Sequence, residues 1–124
     1  IIKNGTMLGD IGNIILSFVE KKGFSVVRDL CGHGIGTTFH KPPNILHYGK
    51  KGEGIELQTG MIFTVEPMIN EGIYHTKVLK DGWTAVTKDK SLSAQFEHTV
   101  GVTNEGFEIF TKSKKNYNQP PYKI

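Results

Sequence analysis

The chain has 124 residues, 37% of them hydrophobic, which provides enough apolar surface for one core but not for two. Its net charge of +3 comes partly from lysines near the end, which we interpret as a solvated basic tail rather than an acidic or nucleic-acid contact. The single Cys31 excludes an intrachain disulfide, and no apolar run reaches the roughly 20 residues that span a bilayer. We therefore expect a cytoplasmic protein with no membrane role.

The chain begins with Ile1 rather than methionine. From this we expect it to be a piece of something longer, with the natural start upstream or removed. Any targeting signal would belong to that other part, so an organelle stays open as a location.

The first predicted element is an amphipathic helix over residues 7–19. Its apolar residues recur at spacings of three and four, which places them on one helical stripe: Met7, Leu8, Ile11, Ile14, Ile15, Phe18 and Val19. Thr6 or Asp10 is suited to cap the start. Lys21 and Lys22 suit the carbonyl-rich end, and Gly23 can adopt the left-handed stop.

Short extended segments are predicted after the helix. Residues 25–27 lead to Gly-His-Gly-Ile-Gly at 32–36, where the glycines permit a bulge or a turn that lines a site. Pro42 and Pro43 cannot donate to a ladder, so residues 42–44 are predicted to be a loop, with extended chain over 45–48. Residues 56–60 are predicted to turn, and residues 61–66 to form a strand that Pro67 ends.

Two hairpins are predicted next. Residues 77–90 fit two strands around Asp81-Gly82, a two-residue turn signal, and residues 96–102 pair with 107–111 around 104–106. The polar residues 113–124 are expected to be a C-terminal tail without its own core. One amphipathic helix and about six mainly antiparallel strands over residues 1–112 make the fold class α+β.

Four residues in distinctive local contexts suggest a divalent-metal site: His33, His40, Glu66 and Glu97. Nitrogen and carboxylate ligands from separate segments are what a hydrolytic metal site requires. If residues 94–102 are extended, Glu97 and His98 point to opposite faces of the strand. Glu66 ends an apolar strand, where a carboxylate is costly unless it is paired or bound to metal.

Each of these residues alone also has an ordinary explanation. His33 fits a turn histidine bonded to backbone, Glu66 an exposed strand end, and Glu97 a residue on a solvated face. His40 alone is more typical of a loop, and His47 is assigned no role because it can simply pack in place. Only the combination favours metal ligation.

Several multi-residue segments occur in order along the chain. They are Cys-Gly-His-Gly-Ile-Gly at 31–36, Phe-His at 39–40, Leu-His-Tyr at 46–48, Thr-Val-Glu-Pro-Met at 64–68, Asp-Gly-Trp-Thr at 81–84 and Gln-Phe-Glu-His-Thr at 95–99. Together, and up to about residue 112, they resemble type I methionine aminopeptidases, and related prolidases and creatinases match less well. The resemblance implies the pita-bread (creatinase/aminopeptidase-like) fold, two pseudo-symmetric halves around a dinuclear metal centre. This chain resembles the C-terminal half.

The resemblance also implies roles for individual residues. His33, Glu66 and Glu97 match metal ligands, with Glu97 bridging two ions, and Glu66 is further suited to relay a proton from the attacking water. His40 matches a catalytic histidine that contacts substrate and stabilises the tetrahedral intermediate. Three residues match positions near the methionine side-chain pocket: Phe39, Trp83 and Cys31. The implied activity is metal-dependent removal of the N-terminal methionine of nascent proteins.

The two divalent ions implied could be cobalt, manganese, iron, zinc or nickel, because nitrogen and oxygen ligands accept all of them. The N-terminal half should supply two further aspartate ligands, and no aspartate of this chain has a matching context. The chain alone is therefore expected to hold metal partially or not at all and to have little peptidase activity. Two alternatives are a non-catalytic binding member of the fold, associated with the ribosome, and a fragment that pairs with itself or with the missing half.

Overall fold

The computed structural model describes residues 1–115 and residue 117, so most of the expected tail lies outside the described residues. The described part contains one helix and ten strands, all paired antiparallel. They are α1 (Leu8–Lys21), β1 (Ser25–Val26), β2 (Gly32–Gly34), β3 (Lys41–Ile45), β4 (Ile62–Val65), β5 (Met68–Asn70), β6 (Thr76–Val78), β7 (Ala85–Thr87), β8 (Ser93–Gln95), β9 (His98–Val102) and β10 (Phe107–Ile109). The α+β prediction is confirmed, with shorter and more numerous strands than the six expected.

Helix α1 is confirmed close to its predicted bounds. The Met7 amide donates to Asp10 Oδ2 at 3.1 Å, so Asp10 caps the start, whereas the Thr6 hydroxyl donates to the Ile1 carbonyl. Gly23 takes the left-handed conformation (φ +80°) just after the helix, as its lack of a side chain allows. This helix, the one present in the described residues, is not long and apolar enough to cross a membrane.

The apolar stripe of α1 is wider than the face that the described residues bury. Leu8, Ile11 and Val19 are buried, whereas Ile14 is 50% and Phe18 is 65% exposed. Leu8 and Ile11 belong to the core cluster, which continues with Ile45, Leu57, Phe63, Val100 and Val102. The core therefore lies between one side of α1 and one face of the largest sheet.

Three sheets make up the strand layer. The largest has the order β10-β9-β4-β2-β3, the second has the order β1-β5-β8, and β6 pairs with β7. The register of β2 against β3 shifts between His33 and Gly34, in agreement with the bulge predicted at the glycine-rich segment.

The loop predicted at the two prolines is wrong. Pro42 and Pro43 lie inside β3, and the extended run expected over residues 45–48 ends at Ile45. The reason is position, because β3 is the edge strand of its sheet and an edge strand tolerates residues that lack an amide donor.

The hairpin predicted over residues 96–102 and 107–111 is confirmed as β9 and β10, but residues 94–102 are not one continuous strand, since they divide into β8 and β9. β9 pairs with β4, up to Val65 opposite His98, and β8 pairs with β5, from Met68 opposite Gln95. The two pairings share one register, so the same two segments pair first in one sheet and then in the other. We call this pair of segments the ribbon; two residues on each segment, 66–67 and 96–97, form a gap that separates its two paired parts. Pro67, which has no amide donor, lies in this gap.

The hairpin around Asp81 is confirmed, but its turn is longer than two residues. The Leu79 amide donates to the Thr84 carbonyl at 2.8 Å, which leaves four residues in the turn. The Asp81 carboxylate accepts the Thr84 hydroxyl and the amides of Trp83 and Thr84, and these bonds lower the pKa of Asp81. The longer turn therefore places Trp83 and Thr84 where they can donate to the Asp81 carboxylate.

Candidate metal centre

Three of the four residues singled out in the sequence converge at the gap between the two sheets. One ligand atom from each of His33, Glu66 and Glu97 lies within 4.8 Å of the other two. His33 Nε2 lies 3.7 Å from Glu66 Oε1, and their side chains are only 13% and 15% exposed. Glu97 is exposed, so the group opens to solvent on one side.

The backbone register brings the two carboxylates together. Glu66 follows Val65 and Glu97 precedes His98, and Val65 and His98 are cross-strand partners. Continued by one residue, this register sets Glu66 opposite Glu97, and side chains directly opposite each other lie on the same face of a ribbon. Like charges in such a pair repel, and a bound cation removes that cost.

The orientation of His33 also suits a metal ligand. Its Nδ1 lies 3.0 Å from the Gly34 carbonyl oxygen, which can only accept, so Nδ1 carries the proton. Nε2 is then left with a free lone pair on the side of Glu66. A ligating histidine usually donates its other ring N–H to a carbonyl or carboxylate in this way. The donor set therefore fits a divalent cation.

Thr64 joins His33 to Glu66. Its buried hydroxyl accepts the His33 amide at 3.0 Å and donates to Glu66 Oε1 at 2.7 Å. The hydrogen bond between Thr64 and Glu66 agrees with the strand periodicity, which places the side chain of Thr64 in β4 and that of Glu66, just after β4, on one face. One hydroxyl thus fixes the backbone of one candidate ligand and the carboxylate of another.

Two further residues hold Glu66, and neither was predicted to do so from the sequence. Gln95 Nε2 donates to Glu66 Oε2 at 3.2 Å. The Glu66 amide donates to Nε2 of His47, whose side chain is fully buried. Burial lowers the pKa of His47 from 6.5 to about 4. The signal in the sequence was that His47 lies in the Leu-His-Tyr segment at 46–48, which carries part of the family resemblance but is also compatible with a packed core residue.

His40 and Phe39 pack against His33 with their rings tilted by 55° and 58° from its plane. The ring centroids of His40 and His33 are 4.2 Å apart, and those of Phe39 and His33 are 5.1 Å apart. Phe39 is 64% exposed, and His40 is also exposed. Both rings can therefore contact a molecule bound next to His33.

A cavity of about 360 Å³ lies beside this group, and His33, His40, Glu66 and Cys31 all line it. Burial, and secondarily the Glu66 carboxylate, raises the pKa of the Cys31 thiol, which keeps the sulfur protonated and weakly polar. Trp83 does not line this cavity: it sits in the turn between β6 and β7 with 90% of its surface exposed. Its assignment to a side-chain pocket stays a prediction.

Comparison with known proteins agrees with this arrangement. The model of the family described as metallopeptidase family M24 matches residues 1–104. A methionine aminopeptidase of Rickettsia prowazekii is 60% identical over 123 residues, which are 98% of this chain and 48% of that protein. Methionine aminopeptidase B of a Synechocystis species is 61% identical over 110 residues, which are 89% of this chain and 40% of that protein. The chain thus spans less than half the length of these relatives.

Solved structures show the same fold. The crystal structure of the Rickettsia prowazekii methionine aminopeptidase superimposes with a TM-score of 0.87 and 62% identity, over 89% of this chain and 45% of that one. The Thermotoga maritima methionine aminopeptidase gives a TM-score of 0.89 and 48% identity, over 91% of this chain and 45% of that one. The strands and helix described above are therefore part of the pita-bread fold.

Proposed function

Because the chain belongs to metallopeptidase family M24, we propose that it supplies part of the active site of a methionine aminopeptidase, which removes the N-terminal methionine from newly made proteins. The observation that supports this most directly is the convergence of His33, Glu66 and Glu97 beside a cavity. Use of a divalent metal follows from the family.

In the proposed site, His33, Glu66 and Glu97 hold the divalent metal through one ring nitrogen and two carboxylates. Bound there, the metal would act as a Lewis acid and lower the pKa of a bound water. The carboxylates of Glu66 and Glu97 face each other, an arrangement suited to a ligand that is shared between two ions. Three protein ligands leave a position open for water or substrate, as catalytic sites require.

The other roles fall to residues around the same cavity. The Glu66 carboxylate is placed to accept a proton from the attacking water, and His40 to donate a ring N–H to the peptide carbonyl oxygen as negative charge develops there. Phe39 and Cys31 offer apolar and soft surface for a methionine thioether. A free peptide amine and its first carbonyl would then lie between the metal ligands and His40.

We further propose that residues 1–112 form one half of the catalytic domain, since the chain covers 48% and 40% of the first two relatives. A second ion would need ligands beyond His33, Glu66 and Glu97. Those ligands, and the rest of the substrate pocket, would come from the other half. We therefore expect residues 1–124 alone to show little or no turnover.

The test is release of methionine from a short peptide by the full protein that contains this chain, with added manganese or cobalt. Glu97→Gln should abolish metal-dependent release, because the amide removes a negatively charged ligand. Glu105→Gln is the matched control: Glu105 is exposed in the turn between β9 and β10, and its loss should leave release unchanged. Full activity of the Glu97 variant would contradict the proposed ligand set.

Substrate class is tested in the same assay with peptides that begin with methionine, leucine or lysine. Preferential release of methionine is expected, because Cys31 gives the cavity a soft sulfur surface and Glu66, the carboxylate that lines it, would be occupied by the metal and unable to pair with a lysine side chain. Equal release from all three peptides would contradict methionine specificity while leaving a general aminopeptidase possible.

A further inference from the structure

His47 makes one hydrogen bond in the described structure, and that bond is to the backbone of Glu66. Its ring is completely buried just after β3, and Nε2 accepts the Glu66 amide at 3.0 Å. Glu66 lies directly beyond the last paired residue of β4, in the gap where the ladder is interrupted. The Glu66 amide faces away from β9, on the side where Ile62 bonds to Ile35, and His47 accepts it there.

The direction of this hydrogen bond defines the state of the ring. An amide can only donate, so Nε2 must present its lone pair, and the ring proton of neutral His47 lies on Nδ1. Among the described residues Nδ1 is buried without a hydrogen-bond partner. An unpaired buried donor destabilises the folded state, a cost that a leucine or phenylalanine of similar size would avoid. The polar ring is thus poorly explained as core packing alone.

Hydrogen bonds restrain both carboxylate oxygens and the backbone amide of Glu66. Thr64 holds Oε1, Gln95 holds Oε2, and His47 holds the amide from the buried side. The first two act on the carboxylate itself. His47 accepts the backbone amide of the residue from which the carboxylate projects, and the longer contact of Gln95 Nε2 with the Glu66 carbonyl, at 3.5 Å, is the weaker hold on that backbone.

We propose that His47 is a positioning residue for the metal site: by accepting the Glu66 amide as the Nδ1–H tautomer, it sets where the Glu66 carboxylate meets the metal. The inference rests on the proposed function, because it assumes that Glu66 is a metal ligand. Residues that orient a ligand through a hydrogen bond typically change metal affinity by about 10–100-fold when they are replaced.

The first test measures the dissociation constant for manganese by titration calorimetry in the full protein. His47→Leu removes the acceptor and should weaken binding by about 10–100-fold. His47→Gln should restore affinity close to the original value, because its side-chain oxygen reaches the position of Nε2. His75→Leu is the control: His75 is exposed and packs on Tyr74, so its loss should leave affinity unchanged.

The second test is independent of metal. In metal-free protein labelled with ¹⁵N-histidine, the signals lost in His47→Gln identify the ring, which should show an unprotonated Nε2 and a protonated Nδ1. A protonated Nε2 would overturn the proposal. A folded His47→Leu variant with unchanged manganese affinity would also overturn it. If that variant does not fold, the proposal is overturned by a loss of manganese affinity of about 10-fold or more in folded His47→Gln, or by a ring of the wrong tautomer.

The two hypotheses fail in different ways. If the unaltered protein binds no manganese, cobalt, iron, zinc or nickel, the proposed function fails and the claim about metal affinity fails with it. If the protein binds metal and releases methionine, but its manganese affinity is unchanged in His47→Leu, only the role of His47 is overturned.

Discussion

Replacing Thr64 by valine is the most informative single change in the site. Valine has nearly the shape of threonine and fills the same buried space, so the variant removes the hydroxyl and little else. The hydrogen bonds from the His33 amide at 3.0 Å and to Glu66 Oε1 at 2.7 Å disappear, together with a longer contact to the His33 carbonyl oxygen at 3.4 Å. A hydrogen bond to a charged group contributes about 1.5–3 kcal/mol, and 1.4 kcal/mol corresponds to a factor of ten.

Manganese affinity should therefore fall by about 10–100-fold in Thr64→Val, in line with the loss of a residue that orients a ligand. Unfolding by urea in the metal-free state should show a loss of about 1–3 kcal/mol, because the His33 amide is left without its acceptor. Thr64→Ser is the control: it keeps the hydroxyl and loses one methyl group, so it should cost stability but retain affinity. A folded Thr64→Val protein with normal affinity would refute the reasoning.

Three further changes test other parts of the structure. Glu97→Gln removes the repulsion with Glu66 and should stabilise the metal-free protein by about 0.2–1 kcal/mol while abolishing stabilisation by manganese; lower metal-free stability in thermal unfolding would argue against the facing carboxylates. Gly12→Ala should destabilise by about 1–3 kcal/mol in urea, although alanine favours helices, because its Cβ would lie 2.6 Å from the Tyr48 carbonyl carbon; a stabilised variant would contradict this contact. Burial lowers the pKa of His47 to about 4, so between pH 6.5 and 4 the unfolded chain binds a proton at this ring that the folded chain does not bind. The free energy of unfolding should therefore fall by up to about 3 kcal/mol as the pH is lowered from 6.5 to 4. His47→Leu should remove this pH dependence.

Local signals in the sequence predicted the elements that depend on local physics. The period of apolar residues gave α1, and Gly23 gave its end, because a left-handed residue is needed there regardless of what packs around it. The β6–β7 and β9–β10 hairpins were likewise predictable from their turns. By contrast, the loop predicted at Pro42 and Pro43 failed because the sequence does not show the order of the strands. The two prolines are compatible with a strand because β3 lies at the edge of its sheet.

The predicted site residues depended on another kind of information. His33, Glu66 and Glu97 were selected for their chemistry and for the family resemblance, and the structure places them within ligand distance of one another. His47 was passed over because its role depends on burial and on a backbone amide 19 residues further along the chain. Periodicity describes which way a side chain points from its own strand, and it contains nothing about a partner on another segment.

The gap between the two sheets explains why the carboxylates can serve as a pair. Within an uninterrupted ladder, two glutamates directly opposite each other would repel at no benefit to the fold, and the strand would favour other residues there. At Glu66 and Glu97 the register continues but the pairing pauses, because Pro67 offers no donor. The Glu66 amide lies on the opposite side of its strand from the backbone nitrogen of Pro67, and it donates to His47. The continuing register thus gives the two carboxylates a common face, the exposure of Glu97 leaves one side open, and His47 holds the Glu66 backbone from the buried interior.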